Sequence, residues 1–284
     1  MFKKIFFVTA LLLASLLSAK PVVIASIAPV EYLAKAVGGD KIEVQSLAKG
    51  DVHSYEPKPN DMKAVAKARI FIAAGLEFEE AWIPRFKASA KNLVVVKSDA
   101  KIAKLKEERG EQAEHDEKHE AHADPHVWLN PMLAITMARN ISDALIDMDK
   151  ANKDFYLENF QKLMNDLLAF DESAKESLAG LKNRKFVVYH PAWGYFAAHY
   201  DLEQISIERS GKEPKIDEMA STLKMIKDEN IKVIFADPNR SQKSAQVLAS
   251  QTGAKVELLD PLGYNLLENL KIAVGAIKDA NSPK

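Results

Sequence analysis

The side chains best placed to do chemistry in this chain are its seven histidines, His53, His115, His119, His122, His126, His190 and His199. Neutral imidazole is a good ligand for zinc, copper and nickel. Spacing separates these residues into two kinds. His115, His119 and His122 fall inside residues 111–124, an acidic, polar stretch without apolar periodicity. Such a stretch reads as a solvated loop. Its histidines are either incidental or a weak, adaptable metal trap, and the entropy lost on ordering the loop would keep any affinity low. The second kind stands at defined points. His53 lies in Gly50-Asp51-Val52-His53-Ser54-Tyr55-Glu56-Pro57, just past an expected strand, and His126 lies in Asp124-Pro125-His126-Val127-Trp128-Leu129-Asn130-Pro131, where two prolines restrict the backbone. His190 ends an expected strand before Pro191-Ala192-Trp193-Gly194, and Asp260 ends another before Pro261-Leu262-Gly263. His199, within an aromatic run, is expected to pack on a helix face.

Taken singly, each position has a plainer reading. A histidine after a strand is usually a satisfied polar residue, and Asp before Pro is a common turn former. The conjunction carries the argument: three histidines, each at a turn beyond a strand or between prolines, in a chain with no cysteine. The absence of cysteine excludes disulfides, thiolate zinc sites, iron–sulfur clusters, cysteine nucleophiles and a lipid-modified N-terminal cysteine.

The elements that must position these residues alternate. Apolar, β-branched runs occur at residues 22–26, 42–47, 70–73 and 93–96, and again at 186–190, 205–207, 233–237 and 256–260. Helix-like stretches such as 30–37 and 62–67 lie between them, so the fold class is α/β, with two lobes of mainly parallel sheet flanked by helices. Open parallel sheets bind ligands beyond the carboxyl ends of their strands, where His53, His190 and Asp260 fall. Asn130-Pro131 reads as a helix start, followed by the stripe Ala134, Met137, Ala138, Ile141, Leu145 and Met148. A second stripe through Phe160, Leu163, Met164, Leu167, Leu168, Ala174 and Leu178 predicts a helix over about 153–179, which would be ~40 Å long and able to act as a rigid strut.

Residues 1–19 have the layout of a cleaved secretory signal: Lys3 and Lys4, an apolar run from Ile5 to Leu17, then Ser18-Ala19. That run is short for a permanent membrane span. Four segments are expected: residues 1–19 as signal, 20–150 as the first metal-binding lobe carrying the acidic loop, 151–181 as the connecting helix and 182–284 as the second lobe. With 284 residues, 39 Lys+Arg and 40 Asp+Glu, the whole chain has a net charge of −1, and no strong positive field argues for nucleic acid.

Beyond these features, the chain resembles the ZnuA-type zinc-binding proteins, the periplasmic receptors of zinc ABC importers. The resemblance covers essentially the whole mature length and rests on the His53, His126, His190 and Asp260 segments quoted above, the His126 segment being the most specific. It implies that His53, His126 and His190 bind Zn²⁺ as transported cargo, with the Asp260 carboxylate completing or approaching the site. Manganese relatives usually carry a carboxylate at the place of His190, so imidazole there favours zinc. The resemblance also implies a periplasmic monomer, no enzymatic activity, small lobe movements, and delivery to an ABC permease and its ATPase in the inner membrane. Val52 stands where proline commonly precedes the first histidine of the family. Coordination chemistry agrees, because zinc accepts three imidazoles and an oxygen in a tetrahedron, whereas calcium and magnesium want six or more oxygens.

Tyr55, Glu56, Trp128 and Trp193 are candidates for shaping the site, and Glu77, Glu79 and Glu80 for docking on basic permease residues. A zinc hydrolase is the first alternative, with Glu56 as base, but no HExxH motif is present. A surface metal-binding adhesin is the second. Three imidazoles of ordinary pKa, ~6.5, would make zinc affinity fall by up to roughly a thousandfold per pH unit in acid.

Overall fold

The computed structural model describes residues 20–106, 123–208 and 216–281. The expected signal segment and residues 111–122 of the acidic loop lie outside the described residues. The first lobe runs β1 (Val22–Ala25), α1 (Ala28–Gly38), β2 (Glu43–Ser46), α2 (Pro59–Val65), β3 (Ile70–Ala73), α3 (Glu77–Ser89), β4 (Val94–Lys97) and α4 (Pro131–Met148). A long helix α5 (Lys153–Ala179) follows. The second lobe runs β5 (Lys185–Val188), α6 (Gly194–His199), β6 (Glu203–Ser206), α7 (Ile216–Asp228), β7 (Val233–Ala236), α8 (Lys243–Thr252), β8 (Lys255–Leu258) and α9 (Leu266–Asn281). Both sheets are parallel and repeat one order, β2-β1-β3-β4 and β6-β5-β7-β8. The eight strands fall within about two residues of the positions expected from the apolar runs.

Position in the sheet explains the strand sequences. Ile-Phe-Ile-Ala of β3 and Val-Ile-Phe-Ala of β7 are covered on both faces and buried throughout, as inner strands of a parallel sheet must be. Glu43-Val44-Gln45-Ser46 of β2 lies at an edge and alternates between exposed and partly buried residues. The start of α4 is fixed locally. Asn130 Oδ1 accepts hydrogen bonds from the Met132 and Leu133 N–H groups at 2.9 and 3.3 Å, and Pro131 takes the first helical position.

Helix α5 buries Tyr156, Phe160, Leu163, Leu167, Phe170, Ala174 and Leu178 along one stripe. Near its start, Asn159 Nδ2 donates to the Val37 carbonyl at 3.0 Å. Gly39, at φ +54°, ends α1 so close to α5 that an added Cβ would meet the Phe155 ring at 2.8 Å. At the far end, Arg184 donates to the carbonyls of Leu178, Tyr200 and Asp201, tying the helix to the second lobe. His199 does pack from α6 as expected, its Nε2 lying 2.6 Å from Asp171 Oδ1 on α5. Leu168, counted in the apolar stripe, is instead 37% exposed.

A single hydrophobic cluster runs from the first sheet through α4, α5 and α9 to Phe186, Val188 and Phe235 of the second sheet. Val187, Ile234 and Ala236 point to the opposite face and form a smaller cluster with Ile207, Ile226 and Leu248. A wide hinge opening would tear the shared cluster apart, so the strut and lobes can shift only slightly against each other.

One expectation about the surface is corrected. Glu79 is not a surface acid but 2% exposed. Its carboxylate accepts the N–H groups of Ala74, Gly75 and Leu76 at 2.8 to 3.0 Å, closing the turn after β3. Burial pushes its pKa up to about 7, against those hydrogen bonds.

Candidate metal centre

Each histidine singled out in the sequence sits beyond a strand or at a proline-bounded turn. His53 lies in the loop between β2 and α2, His126 just before a 3-10 turn at Val127–Leu129, and His190 two residues past β5. The three rings form a nearly equilateral triangle. Centroids are 5.3 Å apart for His53 and His126, 5.0 Å for His53 and His190, and 5.2 Å for His126 and His190. One ligand atom from each lies within 4.8 Å of the other two. Three imidazoles around a tetrahedral ion, with nitrogen at ~2.0–2.1 Å and each centroid about 1.1 Å further out, would have centroids about 5.2 Å apart.

The remaining polar atoms complete the pattern. His53 Nε2 and His190 Nε2 are buried with no hydrogen-bond partner among the described residues. Buried polar nitrogens in proteins nearly always have a partner, whether a protein group, an ion or a water. The opposite nitrogens of two rings are engaged. His126 Nδ1 lies 2.7 Å from Asp124 Oδ1, which also accepts the His126 N–H at 2.9 Å. His190 Nδ1 lies 2.9 Å from Glu208 Oε2. A carboxylate at Nδ1 holds the proton there and leaves the Nε2 lone pair free for a metal, the arrangement that orients histidine ligands in metal sites. Gly194 makes room for Asp124, because a Cβ there would lie 3.1 Å from Asp124 Oδ2. Replacing Asp124 with Asn is expected to weaken metal binding by ~10–100-fold; competition titration of the variant checks this.

The site favours the neutral form of His53 and His190. Burial, with the nearby His126, His190 and Arg240, lowers the His53 pKa from 6.5 to about 3. Burial, followed by the charges of His126 and Arg240, sets the His190 pKa well below its ordinary value. Burial pushes the Asp51 carboxyl up, but the Arg240 guanidinium and hydrogen bonds from Arg240, the His53 N–H and Ser54 outweigh it and leave the pKa lowered.

Asp260 is not among the groups whose ligand atoms converge. Its Oδ1 accepts Leu262 N–H at 2.9 Å and Asn239 Nδ2 at 2.8 Å, closing the turn after β8. This is the turn-forming role that Asp-Pro carries in many chains. Of the residues expected to shape the site, Trp128 is fully buried and donates from Nε1 to the Pro261 carbonyl at 2.7 Å, and its ring lies 5.2 Å from that of His126. Trp193 is buried in the shared core, and Tyr55 donates to Asp61 at 2.8 Å in the loop that follows His53. Glu56 is exposed.

Sequence reasoning placed Asp124 in the acidic loop and passed over Glu208 and Arg240. Asp124 was legible as the partner of His126 through the Asp-Pro-His spacing. Glu208 had a weaker signal, standing two residues past β6, which neighbours β5 in the sheet. Arg240 had none.

Two doubly wound lobes, joined by a strut and facing each other across three converging imidazoles, two buried and one half-buried, define a receptor for a divalent transition-metal ion. Over residues 23–280 the chain matches the family described as ZnuA, zinc-uptake complex component A, periplasmic. The chain belongs to this family of zinc-binding uptake receptors. It is 30% identical over 279 residues to the high-affinity zinc uptake system protein ZnuA of Bacillus subtilis (strain 168), covering 91% of this chain and 86% of that protein. A crystal structure of ZnuA superposes with a TM-score of 0.85 at 35% identity, covering 93% of this chain and all of that one. A ZnuA deletion mutant with zinc bound gives 0.86 at 34% identity, covering 93% of this chain and 99% of the other.

Proposed function

We propose that the protein captures Zn²⁺ on the outer side of the inner membrane and delivers it to an ABC permease driven by its ATPase. His53, His126 and His190 hold the ion through Nε2, and a solvent oxygen takes the fourth position, because Asp260 lies outside the group whose ligand atoms converge. Residues 1–19 act as the export signal, and the receptor works as a monomer. The observation that carries this reading is the convergence of three imidazoles, two of them oriented by carboxylates at Nδ1, with the Nε2 atoms of His53 and His190 buried and unpartnered among the described residues. Three neutral imidazoles and one oxygen suit zinc better than manganese, which prefers carboxylates.

The event is binding rather than turnover. A zinc hydrolase needs a base beside the metal-bound water. Glu56 is exposed, while Asp124 and Glu208 are engaged with the histidines they orient. Family membership likewise disfavours the adhesin reading. Competition titration against a chromophoric chelator is expected to give one zinc per chain. X-ray absorption at the zinc edge is expected to show three nitrogens and one oxygen. Absence of binding, or a sphere without imidazole, would end this reading.

A further inference from the structure

Arg240 lies four residues beyond β7 and takes no part in the triangle of imidazoles, yet it touches the support of two of them. Its Nη1 donates to Glu208 Oε1 at 2.7 Å and Oε2 at 2.5 Å, and lies 3.1 Å from His190 Nδ1, which meets the same carboxylate. Its Nη2 donates to Asp51 Oδ1 at 3.2 Å. Asp51 belongs to the other lobe and folds the His53 loop, its Oδ1 accepting the His53 N–H and its Oδ2 the Ser54 hydroxyl, each at 3.1 Å. One planar guanidinium therefore joins the carboxylate that orients His190 to the carboxylate that shapes the His53 loop. Arginine suits this role because its fork presents several donors in fixed directions.

The other ligand is secured across the lobes by neutral hydrogen bonds. Trp128 donates to Pro261, and Tyr195 of α6 donates from its hydroxyl to the Asp124 carbonyl at 2.8 Å while accepting the Leu105 N–H at 2.8 Å. These contacts anchor the His126 side. The His53 loop is tied to the second lobe by an ion pair whose side chains are 13% and 36% exposed, within reach of water.

We propose that Arg240 is a positioning residue, an ionic strap between the lobes that holds the His53 loop against the His190 support and sets the rate of metal release. His53 is then the ligand that leaves first, while His126 and His190 stay in place. The inference rests on the zinc reading of the site.

Charge and strap predict opposite signs, which makes the idea testable. If Arg240 acted only as a cation near a dication, removing it would relieve repulsion and slow zinc release. If it acts as a strap, removing it frees the His53 loop and speeds release. The experiment is a chelator chase of the zinc-loaded full chain by stopped flow, for wild type, Arg240→Met, Asp51→Asn and the double variant. The expected result is release at least tenfold faster in each single variant and no further acceleration in the double one. Unchanged or slower release in Arg240→Met, or effects that multiply in the double variant, would overturn the strap. Should Arg240→Met fail to fold, Asp51→Asn decides by itself: unchanged release overturns the proposal. Wild type that binds no zinc would instead defeat the underlying reading, so the two failures are distinct.

Discussion

Replacing His190 with alanine is expected to lower zinc affinity by on the order of a thousandfold or more, while deleting residues 113–121 changes it less than about tenfold. Losing a group that merely orients a ligand costs ~10–100-fold in metal affinity, and losing the ligand itself should cost more. Two imidazoles also leave two positions to solvent, a poor substitute for a buried third nitrogen. His190 is 7% exposed, and among the described residues its Nε2 has no partner, so the substitution removes the metal-facing nitrogen; it also removes the Nδ1 contact to Glu208, whose carboxylate keeps its hydrogen bonds from Arg240. Residues 113–121 are acidic and polar and include none of His53, His126 and His190. Calorimetric titration with a competing chelator gives both constants. Comparable losses from the two changes would show that the triangle is not the principal site.

The second large effect is in the pH dependence, where the tertiary structure revises the sequence expectation. Unperturbed imidazoles would all titrate near pH ~6.5 and give up to roughly a thousandfold loss per pH unit below it. Burial instead lowers His53 to about 3 and His190 well below the ordinary value. Each histidine binds zinc only when neutral. With a depressed pKa in the fold, that capacity is complete above the folded-state value and is lost as pH falls through it. His53 therefore stays available between pH 7 and pH 5, and His190 takes up its proton below the ordinary range, so affinity is expected to fall much less steeply there than three ordinary imidazoles would require. The steep loss comes at lower pH. Measuring zinc dissociation constants from pH 7 to pH 4 against a chelator of known proton affinity tests this. A thousandfold drop per unit between pH 7 and pH 5 would contradict the buried, neutral site. The same shifts make the metal-free fold acid-sensitive: the unfolded chain takes up protons from about pH 6.5 downward, the folded one only near 3 for His53, and stability declines across that interval.

Much of this architecture was legible because its signals are local. The β-branched runs, the Asn130-Pro131 helix start and the uninterrupted stripe of α5 each report on neighbours along the chain. They appear in the fold close to where they were expected. The histidines stood out through residue type and through the rule that parallel strands present ligands at their carboxyl ends. Glu79 was misread because a glutamate's ordinary place is the surface; only three backbone N–H groups converging after β3 make a buried position tolerable.

Sequence alone determined the element types, the two-lobed parallel architecture and the identity of three imidazoles able to bind a metal. Tertiary structure decided what surrounds them. It brought the rings to within 5.0 to 5.3 Å, gave Asp124 and Glu208 to His126 and His190, committed Asp260 to a turn, and placed Arg240 across the lobes. The physical reason is range. Hydrogen-bonding periodicity and apolar stripes act over a few residues. Partners 18, 50 or 189 positions apart meet only when both sheets have folded, and burial then sets their charge.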